Sequence, residues 1–187
     1  MEFYALPGIG GDIPFDLERN SKGLLDHYVD YAKERILKSG ELAPLAVFRS
    51  ETKEDILHCG PMMKDDDTKE KLAITLRQIA VETEAIGFIF VAEAWTAKYD
   101  ADNPETKHVQ PSQRPDRVEC IIVSAQYKGD KPAMRVAEII RDSNRKITHL
   151  LERDFYNEGD MTFEGRFAGV LDDESDDDRW SRITRDL

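Results

Sequence analysis

Two nearly continuous apolar runs constrain this chain most: Phe88-Ile-Phe-Val-Ala-Glu-Ala-Trp95 and Val118-Glu-Cys-Ile-Ile-Val-Ser-Ala125. Runs this long and this rich in Phe, Ile and Val read as strands covered on both faces of a sheet. A sheet covered on both faces needs further elements to cover it. The polar stretch between the runs, Asp100 to Arg117, is far longer than a hairpin requires. Long loops within a domain tend to carry function or to lack order. The search for a site therefore starts there.

The flanking pattern supplies the covering elements. Leu25, Tyr28, Val29, Ala32 and Ile36 recur at three- and four-residue spacing, which predicts a helix from about Ser21 to just before Gly40. Gly40 suits the left-handed residue that ends many helices. Leu45-Ala-Val-Phe48 and Ile56-Leu-His-Cys59 read as a hairpin across the polar turn Arg49 to Asp55. A second helix follows Asp65-Asp-Asp67. Asp67 with Glu70 fits a capping box, and the carboxylates suit the positive helix end. Leu72, Leu76, Ile79, Ala80 and Thr83 form its stripe. Ile74 and Val81 widen that stripe, so burial on more than one side is expected. Gly87 then opens the central strand. Further strands are predicted over Met134 to Ile140 and Ile147 to Arg153, the latter with Ile147, His149 and Leu151 on one side. A last one carries Met161, Phe163, Gly165 and Phe167 on one face.

The predicted fold is α+β: two helices and a mostly antiparallel sheet, in the order α-β-β-α-β-β-β-β with a fifth late strand expected. That order resembles the profilin and roadblock-like topologies, which often dimerise, so a homo-oligomer is expected. Residues 1–20 form a turn-rich lead-in, residues 21–170 one domain, and residues 171–187 an acidic tail. Gly8-Ile-Gly-Gly11 in the lead-in is not a phosphate loop. It lacks the preceding strand and the Gly-Lys-Ser/Thr ending.

Composition excludes some functions. The net charge is −12, which argues against a duplex nucleic-acid binder, whose phosphate contacts need a basic face. Six carboxylates fall within Asp172 to Asp178. Such a block is a solvated tail or a lure for a basic protein partner. No apolar run approaches a membrane span, and the N-terminus lacks a signal-peptide pattern, so a cytoplasmic protein is expected. Cys59 and Cys120 fall in strand-like patterns and read as buried free thiols.

The loop offers Lys107, His108, Ser112, Arg114 and Arg117 beside Trp95, stiffened by Pro104, Pro111 and Pro115. Arginine forks bind phosphate or carboxylate, and a Trp offers a stacking face. This set predicts capture of a small anionic, nucleotide-like ligand. The alternative is structural: Arg114 and Arg117 pair with Asp116, Glu119 or Glu93 and clip the loop to the sheet. Glu93 and Glu119 are the only candidates for catalysis, as a carboxylate pair in a hydrolase. No nucleophile motif, metal cluster or cofactor motif accompanies them, and the four histidines are scattered singly. His58 and Cys59, adjacent on a strand, point to opposite faces and form no dyad. The expected role is therefore binding, without metal or cofactor. The alternatives are a protein-interaction module using a sheet edge or the acidic tail, and the hydrolase.

Val91-Ala-Glu-Ala-Trp95, followed by Pro111-Ser-Gln-Arg-Pro-Asp-Arg117-Val-Glu119, resembles a pattern in uncharacterised small bacterial and phage proteins. There an Ala-Glu-Ala-Trp strand precedes a Ser-x-x-Pro-x-Arg loop and a glutamate-led apolar strand. The resemblance covers roughly residues 45 to 125. It implies a shared fold around this strand pair and a bacterial or phage intracellular setting. It carries no catalytic role to any residue.

Overall fold

In the computed structural model, which describes residues 19–97, 109–152, 167 and 169–172, the first element is set by its caps. Helix α1 runs Ser21–Ser39. Asn20, in extended backbone, accepts the Gly23 N–H at 2.7 Å. Gly40, at φ 81°, closes the helix by donating its N–H to Ile36 O. Only glycine takes that left-handed conformation cheaply. The start of α1 is tied to the turn at residues 127–130. There the Ser21 N–H donates to Asp130, and the Ser21 hydroxyl accepts the Tyr127 N–H, both at 2.9 Å.

Helix α2 runs Asp66–Glu82. Its capping box differs from the one expected. Asp65, not Asp67, is the cap, and it accepts the Thr68 N–H at 2.8 Å. The Thr68 hydroxyl accepts the Asp65 N–H at 3.2 Å, so a threonine fills the role assigned to Glu70. Asp66 and Asp67 then sit in the first turn, where the helix dipole favours them.

Six strands form one sheet: β1 Leu45–Arg49, β2 Glu54–His58, β3 Gly87–Thr96, β4 Val118–Tyr127, β5 Ala133–Arg141 and β6 Ile147–Glu152. Their spatial order is β2-β1-β3-β4-β5-β6, and every neighbouring pair is antiparallel. The fold is α+β in the order read from sequence. Of the late strand expected over Met161 to Phe167, residues 161–166 lie outside the described residues. Phe167 sits in a turn, stacked on Phe90 with ring centroids 4.5 Å apart.

The apolar runs are continuous because the sheet has a packed layer on each face. Ile89 and Val91 of β3, with Ile121 and Val123 of β4, meet Leu25, Tyr28, Val29 and Ile36 of α1. Phe88, Phe90 and Ala92 point the other way, to Leu72, Leu76 and Ile79 of α2. Fully burying one such side chain contributes about 1.5–3 kcal/mol. Val170 joins this second core. Beside it, the buried Gln126 donates to Asp172 at 2.6 Å and accepts the Leu171 N–H at 3.3 Å.

Two expectations fail on this geometry. Ile74 and Val81 are 40% and 79% exposed, so α2 is buried along one stripe only. It is an outer layer, and nothing among the described residues covers its far side. Opposite Ile140/Arg141 of β5 the pairing of β6 shifts by one residue, leaving Thr148 without a partner in the ladder. Ile147 and Leu150 pack on the α1-side core, while His149 and Leu151 are exposed.

Candidate functional site

The register of β3 on β4 places Trp95 opposite Glu119 and Glu93 opposite Ile121. Facing residues in a sheet point the same way, so Glu93, Trp95 and Glu119 share the α1 face. They stand beyond the end of the apolar core, where α1 has stopped and the chain turns through Glu41 to Pro44 into β1.

Both carboxylates are engaged, but not by the loop arginines. Arg141, at the end of β5, forks onto Glu119, with Nε to Oε2 at 2.8 Å and Nη2 to Oε1 at 2.7 Å. Its Nη1 donates to Arg145 O at 3.1 Å. The Arg141 hydrogen bonds hold the Glu119 carboxyl below the usual carboxylate range. Glu93 Oε1 accepts the Leu42 N–H. Burial pushes Glu93 up, the Leu42 N–H opposes that, and the Glu119 charge adds to the rise. The two acids are thus driven in opposite directions.

The loop arginines have separate positions. Arg114 is only 9% exposed and clamps Asp116, with Nε to Oδ1 at 2.9 Å and Nη2 to Oδ2 at 2.8 Å. Arg117 lies over the Trp95 ring, its guanidinium carbon 4.8 Å from the centroid. One of its N–H groups is held by Ser112 O, so Ser112 contributes its carbonyl and not its hydroxyl. The short 3-10 turn Pro111–Gln113 presents that carbonyl. Arg117 makes no ion pair among the described residues, and Trp95 is 43% exposed. Lys107 and His108 lie outside the described residues, as do most of the acidic tail and the lead-in.

The structure therefore brings together Trp95, Ser112, Arg117, Glu93 and Glu119, and sends Arg114 to Asp116. Sequence reasoning missed Arg141 and the Leu42 N–H. The signal for Arg141 is the alternation Ala137, Ile139, Arg141, which becomes informative once β5 is in register with β4. The buried thiols Cys59 and Cys120 are free, and burial pushes them up to about 12 and about 11. Thiols held that high supply little thiolate, which disfavours them as nucleophiles. Among the described residues no three His, Cys, Asp or Glu side chains form a metal-binding group. No described helix is long and apolar enough to cross a membrane.

The fold defines a class: an α+β domain whose single antiparallel sheet carries a helix layer on each face, with a polar cluster beyond one end of the core. Residues 18–168 match the protein family described as bacteriophage lambda protein ea47, and the chain belongs to that family. Comparison with curated proteins and with solved structures gave no match.

Proposed function

We propose that this chain is a binding protein whose ligand platform is the Trp95–Arg117 stack, and that it takes a small planar anion of the nucleoside phosphate kind. One observation carries the reading. Arg114 and Arg141 are each neutralised by a carboxylate fork, whereas Arg117 has no counter-ion among the described residues. In a chain of net charge −12, an exposed guanidinium stacked on an exposed indole is a prepared anion contact. The indole face attracts the charge of the guanidinium, whose carbon lies 4.8 Å from the ring centroid. Of its five N–H donors one goes to Ser112 O, and others remain for phosphate or carboxylate oxygens. A base or other ring can extend the stack at the indole edge.

The test is calorimetric titration of the chain with adenosine diphosphate and with pyrophosphate. Saturable binding of the diphosphate is expected, weakened about tenfold or more by Arg117→Gln, since a hydrogen bond to a charged group contributes about 1.5–3 kcal/mol. Trp95→Leu should lower affinity for adenosine diphosphate more than for pyrophosphate. Binding unchanged in both variants, or absent for both probes, would overturn the reading.

A second reading gives the same platform to a protein surface, because Trp and Arg are the residues most enriched at interface hot spots. A second copy of this chain is the simplest such partner. Native mass spectrometry decides between them: a dimer abolished by Trp95→Ala favours the interface, and a monomer removes it.

A further inference from the structure

The turn that joins β5 to β6 is fixed to the polar cluster by its own backbone. Arg141, whose fork holds Glu119, also donates from Nη1 to the Arg145 carbonyl at 3.1 Å. Glu119 in turn faces Trp95 across β3 and β4. A series of neighbours therefore runs from Arg117 over the Trp95 ring, through Glu119 and Arg141, to Arg145. Trp95 on β3 and Arg141 on β5 are separated by one strand, which puts two strand spacings, about 10 Å, between them across the sheet.

The acid of this turn is committed to the turn itself. The Asp142 carboxylate accepts the Asn144 and Lys146 N–H groups at 2.8 and 2.9 Å. The Asp142 N–H donates to the Lys146 carbonyl, and the Asp142 carbonyl accepts the Arg145 N–H, both at 2.9 Å. Arg145 is exposed, and its side chain makes no hydrogen bond or ion pair among the described residues. Its charge nevertheless reaches the cluster. Behind the Arg141 fork, the Arg145 charge helps hold the Glu119 carboxyl below the usual carboxylate range. Glu119 thus has two cations about it, and both of its oxygens are taken by Arg141. The charge of Arg145, like that of Arg117, has no carboxylate of its own among the described residues. Glu93, the other acid on this face, is turned to the Leu42 N–H, and burial pushes it up.

We propose that Arg145 is a second anion contact of the Trp95–Arg117 site, and that the site takes a nucleoside diphosphate in preference to a monophosphate. The inference rests on the platform reading. A ring at the Trp95 edge and a first phosphate on Arg117 leave the next phosphate to extend over Glu119 and Arg141 toward Arg145. The Arg141 fork neutralises the carboxylate that lies on this path. A single guanidinium suits one phosphate, and two that are held apart across a sheet suit a ligand whose anionic groups are themselves apart.

The experiment is calorimetric titration of the full-length chain with adenosine diphosphate and adenosine monophosphate. The diphosphate is expected to bind about tenfold more tightly, the effect of one further charge-assisted contact. Arg145→Gly removes the side chain and keeps the carbonyl that Arg141 uses. At φ 63° glycine also takes the backbone more cheaply than arginine, so the melting temperature should hold or rise. In this variant the preference should vanish while monophosphate affinity stays unchanged. Arg117→Gln should weaken both nucleotides alike. Lys71→Gln, on α2 across the sheet, removes the same charge and should leave the preference intact. Equal binding of the two nucleotides by the unaltered chain, a preference kept in Arg145→Gly, or one lost equally in Lys71→Gln would overturn this proposal and leave the platform standing. Binding of neither nucleotide, or Arg117→Gln without effect on either, overturns the platform and this proposal with it.

Discussion

Replacing Arg141 by Met tests the electrostatics of the cluster most directly. Met retains the aliphatic stem, so the change removes the fork onto Glu119 and little packing. The two bonds, at 2.8 and 2.7 Å, join side chains that are 24% and 23% exposed. Fully exposed pairs contribute ~0–1 kcal/mol and hydrogen bonds to charged groups ~1.5–3 kcal/mol, so this partly screened fork falls at about 1–2 kcal/mol. For a chain of this length that corresponds to a drop of about 2–8 °C in melting temperature. The sign with pH follows from Glu119, whose folded value lies below its ordinary 4.5. Its contribution is present above 4.5 and is lost as pH falls through the lower folded value. A double-mutant cycle of Arg141→Met with Glu119→Gln, read by chemical denaturation, should give coupling of about 1–2 kcal/mol at neutral pH that shrinks as pH falls below 4.5 and Glu119 takes up its proton. Coupling that is absent at neutral pH, or that does not shrink as Glu119 is protonated, would refute the assignment of Arg141 as the partner of Glu119.

Glu93 has the opposite sign. Burial raises its folded value above 4.5, so ionised Glu93 weakens the fold as pH rises through that range. Glu93→Gln keeps an oxygen for the Leu42 N–H, and thermal melts should show it neutral to stabilising at neutral pH; clear destabilisation there would contradict the burial argument. The capping frame of α2 separates two neighbouring acids. Asp65→Ala should lower the urea unfolding midpoint, and Asp67→Ala should lower it less, an order that reverses if Asp67 is the cap. At Gly87 an added Cβ would stand 2.9 Å from Leu24 Cδ1 and 3.3 Å from Arg49 Cβ, so Gly87→Ala should lower stability by about 1–3 kcal/mol in the same assay. Both thiols should react slowly with a disulfide reagent in the native chain and promptly in denaturant; a fast native phase would place one of them at the surface.

The local part of this structure is legible in the sequence. The α1 stripe, the Gly40 stop and the two central runs each follow from periodicity or from one residue's backbone freedom. The errors arise where local pattern is degenerate. Asp65, Asp66 and Asp67 all suit a helix start, and Thr68 caps as well as a glutamate does, so composition cannot select the frame. Ile74 and Val81 suggest a doubly buried helix, but how many layers lie outside α2 depends on the rest of the chain. In β6 the alternation is real, yet one bulge reverses which residues meet the core. The cluster beyond the core is less legible still. Glu93 and Glu119 need partners, which sequence can state, but Leu42 and Arg141 lie 51 and 22 residues away. Arg117 and Arg114 were equivalent on paper, and Asp116 separates them in space.

That separation also weighs binding against catalysis. Two acids with displaced ionisation in opposite directions are the pattern by which a hydrolase assigns its acid and its base. Here the displacement has a structural cause on each side. Both Glu119 oxygens are taken by the Arg141 fork, and a Glu93 oxygen holds the turn that leads from α1 into β1. A general base must reach a proton on the substrate, and Glu119 would have to break a two-bond ion pair to do so. The geometry therefore supports a clip that fixes β3, β4, β5 and the 41–44 turn beside Trp95. A rigid support is what a stacking platform requires, since ordering the indole and guanidinium in advance lowers the entropy lost when a ligand arrives. On this view the carboxylates serve the Trp95–Arg117 platform by holding its base still. Loosening the clip through Arg141→Met should then weaken ligand capture at Arg117 without any contact to the ligand having been removed.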